Sequence, residues 1–182
     1  DGGSGTDLLI GGLGADTFSG GDGDDYLLID SEDTAIDGGA GFDSAFVLTS
    51  DPVTLDMGTA SIEWAEGDDG ADTFNASSQT SAVYIYGASG DDTLTGSAFG
   101  DYLDGGDGAD TLTGGDGDDL LFGNGGSDIL LGQGGDDYII EFGGDSQIDG
   151  GAGFDSLFVW SDTGVTLNLA TASIEWVQGS VL

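Results

Sequence analysis

The 182-residue chain carries 36 Asp and Glu and no Lys, Arg or His, for a formal charge of −36. Without a basic group it offers nothing to hold nucleic acid or an anionic membrane. Without Cys or His it can build neither a disulfide nor the usual zinc, iron or copper site, so carboxylates and backbone carbonyls are its only metal ligands, a set suited to calcium above magnesium when many flexible oxygens converge.

Taken in chain order, a nine-residue pattern Gly-Gly-x-Gly-x-Asp-x-U-x, with U large and apolar, opens at residues 2–10 (GGSGTDLLI) and repeats at 11–19 (GGLGADTFS) and 20–28 (GGDGDDYLL). Residues 29–37 (IDSEDTAID) lose the glycines but keep Ile36 at the apolar position, and 38–46 (GGAGFDSAF) restore the pattern around a small Ala45. Residues 47–86 break the frame. They alternate Val, Thr, Ile and Tyr, as in Val53-Thr54-Leu55 and Val83-Tyr84-Ile85-Tyr86, with an Asp51-Pro52 turn signal. They read as strands of further coils lacking metal turns, the alternative being a cap folded back on the end. From 87 to 158 the frame runs unbroken through eight nonapeptides, two of them degenerate, 96–104 (GSAFGDYLD) and 141–149 (EFGGDSQID).

A longer repeat lies over the short one. At a constant offset of 112 residues, IDGGAGFDSAFV (36–47) answers IDGGAGFDSLFV (148–159), and TASIEWAEG (59–67) answers TASIEWVQG (171–179). The expected organisation is one continuous solenoid over 1–182, with a first superrepeat at 2–113 and a partial second at 114–182. The start at Asp1 rather than Met, and the stop at Leu182 inside the second unit, read as a piece cut from a longer array. No apolar run is long enough to span a bilayer, and no signal peptide is visible.

The period couples a turn to a strand. GGxGxD makes a tight turn, with glycine where φ is positive or backbone approaches an ion, and xUx makes a strand of three residues. So short a strand cannot stand alone, and stacking on its neighbours buries U in a continuous core. Composition alone, with 38 glycines and high charge, describes a disordered linker. A linker has no reason to place Leu, Ile or Phe every ninth residue, so disorder is expected only without a cation.

The intact motifs resemble the RTX, or haemolysin-type calcium-binding, nonapeptide family. The resemblance implies an all-β fold: a right-handed parallel β-roll, or β-helix solenoid, two nonapeptides per coil, with multiple Ca²⁺ between stacked turns. It implies metal ligands at the sixth position of each repeat: Asp7, Asp16, Asp25 and Asp43, then Asp92, Asp101, Asp110, Asp119, Asp128, Asp137 and Asp155, with Asp72 in the related GDDGAD stretch. Thr34 and Ser146 stand where that Asp belongs, each with an acid one residue earlier, Asp33 and Asp145; Phe99 stands at the fourth-position Gly. The extra acids Asp22, Asp24, Asp91, Asp107, Asp116, Asp118 and Asp136 read as solvated or outer groups. The resemblance further implies secretion, by a one-step type I route, and a chain that unfolds at low calcium and folds outside the cell.

Sorted by sheet, the outward positions seven and nine form an apolar stripe on one face: Leu8, Ile10, Tyr26, Leu28 and Phe46, then Leu120, Phe122, Tyr138, Ile140 and Phe158. The stripe is either covered within the chain or a contact surface for a neighbouring domain or rod, with Phe46, Phe122, Ile140 and Phe158 at its centre. Catalysis is a poor reading. The tempting pairs, Glu63 with Trp64 and Glu175 with Trp176, sit at equivalent places in two repeats, which points to structure. Ice binding needs a rank of Thr or Asn, and position five (Thr6, Ala15, Asp24, Phe42, Gly100, Ala109) makes none. The expected function is a calcium-folded structural module of a large secreted or cell-surface protein. The alternative is the calcium-binding, secretion-assisting region of a type I secreted hydrolase or toxin.

Overall fold

A computed structural model describes residues 1–160 and 173–179. The first coils hold β1 (Gly3–Ser4), β2 (Leu8–Ile10), β3 (Thr17–Asp22), β4 (Tyr26–Ile29), β5 (Ala35–Ala40) and β6 (Ser44–Val47). The middle holds β7 (Thr54–Asp56), the single-turn helix α1 (Met57–Ala60), β8 (Trp64–Glu66), β9 (Thr73–Asn75) and β10 (Tyr84–Ser89). Then follow β11 (Thr93–Thr95), β12 (Tyr102–Asp107), β13 (Thr111–Asp116), β14 (Leu120–Gly125), β15 (Ile129–Gly134), β16 (Tyr138–Glu141), β17 (Gln147–Ala152), β18 (Ser156–Val159) and β19 (Trp176–Gly179).

Every pairing among the described strands is parallel, and all but β18 with β19 join a strand to the one two places along the chain, as a solenoid requires. The even-numbered strands β2 to β18, with β19, form one ten-stranded sheet. The opposite face divides into a three-stranded sheet (β1, β3, β5) and a six-stranded sheet (β7 to β17). Successive regular coils are 18 residues apart, as Asp101 and Asp119 are. The expected all-β parallel solenoid is therefore the fold.

The apolar eighth position of each repeat points inward. Leu103, Leu121, Ile139 and Leu157 lie in register on the ten-stranded sheet, and Leu94, Leu112, Leu130 and Ile148 on the six-stranded one. All are buried, and burial of each Leu or Ile is worth about 1.5–3 kcal/mol.

One expectation needs adjusting, and one alternative is excluded. The regular strands are longer than three residues: β12, β13, β14 and β15 each run six, through the first three positions of the following turn. The ladder continues there because turn backbones bond coil to coil, the Gly108 N–H donating to the Gly125 carbonyl (2.8 Å) and Gly135 to Ala152 (2.8 Å). Residues 47–86 make coils of the same solenoid, not a cap, and these coils are longer: Asp43 and Glu63 stand 20 residues apart. The extra length is taken up at α1, capped by the Asp56 carboxylate on the Thr59 N–H and ended by Ser61 in left-handed geometry (φ 52°).

The apolar stripe is an aromatic ladder on the outer face of the ten-stranded sheet. Trp64 stacks on Tyr84 (ring centroids 5.8 Å apart) and Tyr86 (5.2 Å), Tyr86 lies against Tyr102 (5.1 Å), and Tyr102 against Phe122 (5.2 Å). Phe158 meets Tyr138 and Trp176. Phe46, Phe122, Ile140 and Phe158 are half-buried, while Leu8, Ile10, Tyr26 and Tyr138 are exposed. The rings shelter one another.

Candidate functional site

The turns stack into two columns along the two edges of the solenoid, and beyond the first coil each sixth-position Asp accepts an N–H from the coil before it. On one edge Asp25 Oδ1 accepts the Asp7 N–H (2.8 Å), Asp43 that of Asp25 (2.8 Å), Asp119 that of Asp101 (2.8 Å), Asp137 that of Asp119 (2.9 Å) and Asp155 that of Asp137 (2.9 Å). On the other edge Asp92 accepts from Asp72 (2.7 Å), Asp110 from Asp92 (2.8 Å) and Asp128 from Asp110 (2.9 Å). One oxygen of each carboxylate is thus spent on architecture.

The second oxygen divides the twelve candidates. The Oδ2 atoms of Asp7, Asp25, Asp43, Asp92, Asp110, Asp119, Asp128, Asp137 and Asp155 are buried without a hydrogen-bond partner. A buried, unsatisfied carboxylate oxygen is costly, and its repetition along two edges is a cost that a bound cation would relieve. Asp72 and Asp101 differ: both oxygens of each are engaged, Asp72 by the N–H groups of Val53 and Asp68, and Asp101 by Val83 and Ser97. Asp16 is half-buried near the first coil, its own N–H donating to Asp33 Oδ1 (2.8 Å).

Each bare Oδ2 looks toward the first glycine of its own turn. A Cβ built on Gly2 would lie 2.7 Å from Asp7 Oδ2 and 2.7 Å from the Gly20 carbonyl oxygen of the next coil. The same two oxygens flank Gly20, Gly87, Gly114, Gly132 and Gly150, with Ser173 supplying the carbonyl at the last. First-position glycines are absent from the positive-φ set that includes their neighbours Gly3, Gly21 and Gly106. They are needed for the space they leave, a small cradle between a carboxylate and a carbonyl of the coil above. Among the described residues no three acids converge to cage an ion by side chains alone. A hard cation here draws on backbone carbonyls as well, which suits calcium's six to eight oxygen ligands.

Burial raises several of these carboxylates above the usual range, and neighbouring acids add to it. Asp43, Asp92 and Asp137 are pushed up to about 6, Asp110 to about 7 and Asp119 to about 8. In Asp119 the desolvation is reinforced by the charges of Asp101, Asp137 and Asp118. Without a counter-ion the column resists full ionisation.

Two column members lie outside the nonapeptide pattern. Glu63 Oε2 accepts the Asp43 N–H (3.0 Å) and Glu175 Oε2 the Asp155 N–H (2.8 Å), the same bond a sixth-position Asp makes. Their identical surroundings in the two superrepeats could have revealed them; the longer coil hid them. At the degenerate turn 29–37, Asp33 takes the absent Asp's place, accepting the N–H of Asp16 and of Asp30 (2.9 Å).

The RTX calcium-binding nonapeptide repeat matches the chain in four copies, at residues 1–31, 57–79, 86–121 and 104–139, together more than half its length. No curated protein matches the chain. Such repeats occur in secreted bacterial proteins, and no helix of the described residues is long and apolar enough to cross a membrane. The matched repeat is a structural fold rather than a catalytic one, and its calcium chemistry agrees with the bare oxygens along both edges. The chain belongs to the RTX calcium-binding nonapeptide repeat family.

Proposed function

We propose that this chain is a calcium-folded structural module of a large secreted or cell-surface bacterial repeat protein, of the adhesin, surface-layer or fibre kind, and is not itself an enzyme. The observation that carries it is the double column of buried carboxylates, nine of them with a bare oxygen and, beyond the first coil, the other oxygen bonded to the preceding coil. The bare oxygens of Asp7, Asp25, Asp43, Asp92, Asp110, Asp119, Asp128, Asp137 and Asp155 are calcium ligands, with first-position carbonyls of the adjoining coil; Asp16 serves at the first coil. Asp72 and Asp101 accept N–H bonds at both oxygens but keep the same cradle beside Gly67 and Gly96, so each serves as a ligand through its remaining lone pairs. Each ion offsets two charges and crosslinks two coils, so binding free energy becomes folding free energy.

Extracellular calcium modules bind at about 10⁻⁴–10⁻³ M, so such sites are empty in cytosol and filled outside the cell. That difference lets an expanded chain pass a type I channel and stiffen afterwards. The 112-residue superrepeat favours a tandem extender, one continuous solenoid over 1–182 with units at 2–113 and 114–182, over the calcium-binding region of a secreted hydrolase or toxin. The aromatic ladder is the face turned to a neighbouring rod or domain.

Circular dichroism through a calcium titration tests the reading. Strand signal rises with calcium, reverses with EGTA and stays absent with magnesium alone. A metal-free chain as structured as the calcium-loaded one, at neutral pH, defeats it.

A further inference from the structure

The two degenerate turns occupy the same place in the two superrepeats, yet they are built in opposite ways. In the first, 29–37, the acids are satisfied by protein. Asp30, 3% exposed, accepts the Gly14 N–H (3.1 Å) and the Glu32 N–H (2.8 Å), and Asp33 accepts from Asp16 and Asp30. Ile29 fills the inward first position and is buried. This turn closes without an ion.

In the second, 141–149, Glu141 replaces Ile29 and Phe142 replaces Asp30. Phe142 is exposed, while Glu141 is 0% exposed and neither of its oxygens has a hydrogen-bond partner. Both oxygens of Asp145 are likewise buried and unpartnered, as is Asp128 Oδ2 in the coil below. Asp145 lies against the Asp128 carboxylate and feels the charge of Glu141, and both Asp145 and Glu141 are held above the ordinary carboxylate range, chiefly by burial. Ser146 fixes the turn on that coil, its N–H (2.8 Å) and hydroxyl (2.9 Å) both donating to the Asp128 carbonyl.

The steric rule of the ordinary turn explains why Glu141 is admitted. At a regular first position a Cβ collides with the sixth-position Asp, as Gly132 would with Asp137. Here the sixth position is Ser146, so the space that Asp leaves is open to a side chain from the first position. The carboxylate lost at position six reappears at position one.

We infer that the turn at 141–149 is an additional divalent-cation site, calcium by preference, in which Glu141 and Asp145 supply the carboxylates beside Asp128, while the equivalent turn at 29–37 is a cation-free latch. Side chains alone do not cage a point there, so backbone carbonyls complete the shell. The inference rests on the chain binding calcium.

Equilibrium dialysis against calcium, with metal content read by atomic emission, tests it on the whole chain. Glu141→Ile, which installs the first superrepeat's residue, and separately Asp145→Asn, each lose one calcium per chain relative to wild type while keeping the strand signal in saturating calcium. Should neither variant fold, the anomalous map of wild-type crystals grown in calcium decides, by a peak between Glu141 and Asp145 or its absence. Unchanged calcium content in a folded variant, or no peak, overturns the extra site alone. A wild-type chain that binds no calcium overturns the proposed function instead.

Discussion

At the scale of single residues, the first glycine and the sixth aspartate of a turn are one unit. Asp119 Oδ2 points to the place a Cβ on Gly114 would occupy, and that Cβ would also lie 2.8 Å from the Gly132 carbonyl oxygen. Gly114→Ala therefore crowds a site with no freedom to move, a cost of about 1–3 kcal/mol by the usual penalty for overpacking. Gly134 is the control: it sits at the variable third position, and its added Cβ meets nothing nearer than the Asp116 carboxylate at 3.3 Å. Thermal melts in saturating calcium should show Gly114→Ala clearly lowered and Gly134→Ala near wild type; equal melts would remove the steric account. The aspartates of these turns were legible from spacing. Glu63 and Glu175 were not, because the coil that delivers them is 20 residues long, and a nine-residue frame has no slot for them.

At the scale of elements, the ten-stranded sheet presents an aromatic ladder while the six-stranded sheet presents Thr93, Thr111, Ile129 and Gln147 at the matching outward positions. Stacked rings offer a long apolar strip beside a strongly acidic body, and charge repulsion opposes association anywhere else. Calcium-loaded protein should associate through this strip. Sedimentation at rising concentration is expected to show larger species that Phe122→Asp abolishes, and a monomer throughout would count against a rod-to-rod contact. The stripe was legible from the sequence once alternate strands were assigned to opposite sheets. Its ring-on-ring packing was not, because Trp64, Tyr84 and Tyr86 lie in residues where the nonapeptide frame is lost.

At the scale of the whole molecule, the charge of −36 makes stability a question of counter-ions and protons. The folded, metal-free column has carboxylates raised from 3.8 to between about 6 and about 8, with burial the main cause. The native form then holds more protons than the unfolded chain in that window, so its stability falls as pH rises. These groups favour the metal-free fold fully below pH 3.8 and cease to do so as pH passes through about 6 to 8. Calcium-stripped protein should thus gain strand signal on acidification from pH 8 to 4, and calcium-loaded protein should show it already at pH 8. A stripped chain that loses strand signal on acidification would contradict the buried column.

The sequence by itself determined the repeating turn, the inward apolar residue, the oxygen-only ligand set and the family, because each is a local property of nine residues or of composition. Only the tertiary structure decided which carboxylates keep an oxygen free. Asp72 and Asp119 end related turns, GDDGAD and GGDGDD, but Asp72 meets the N–H of Val53 and of Asp68, whereas Asp119 meets one N–H and leaves its other oxygen bare. That difference depends on the neighbouring coils and turn backbone brought against each residue, and hydrogen-bond satisfaction across coils is not encoded in any single repeat.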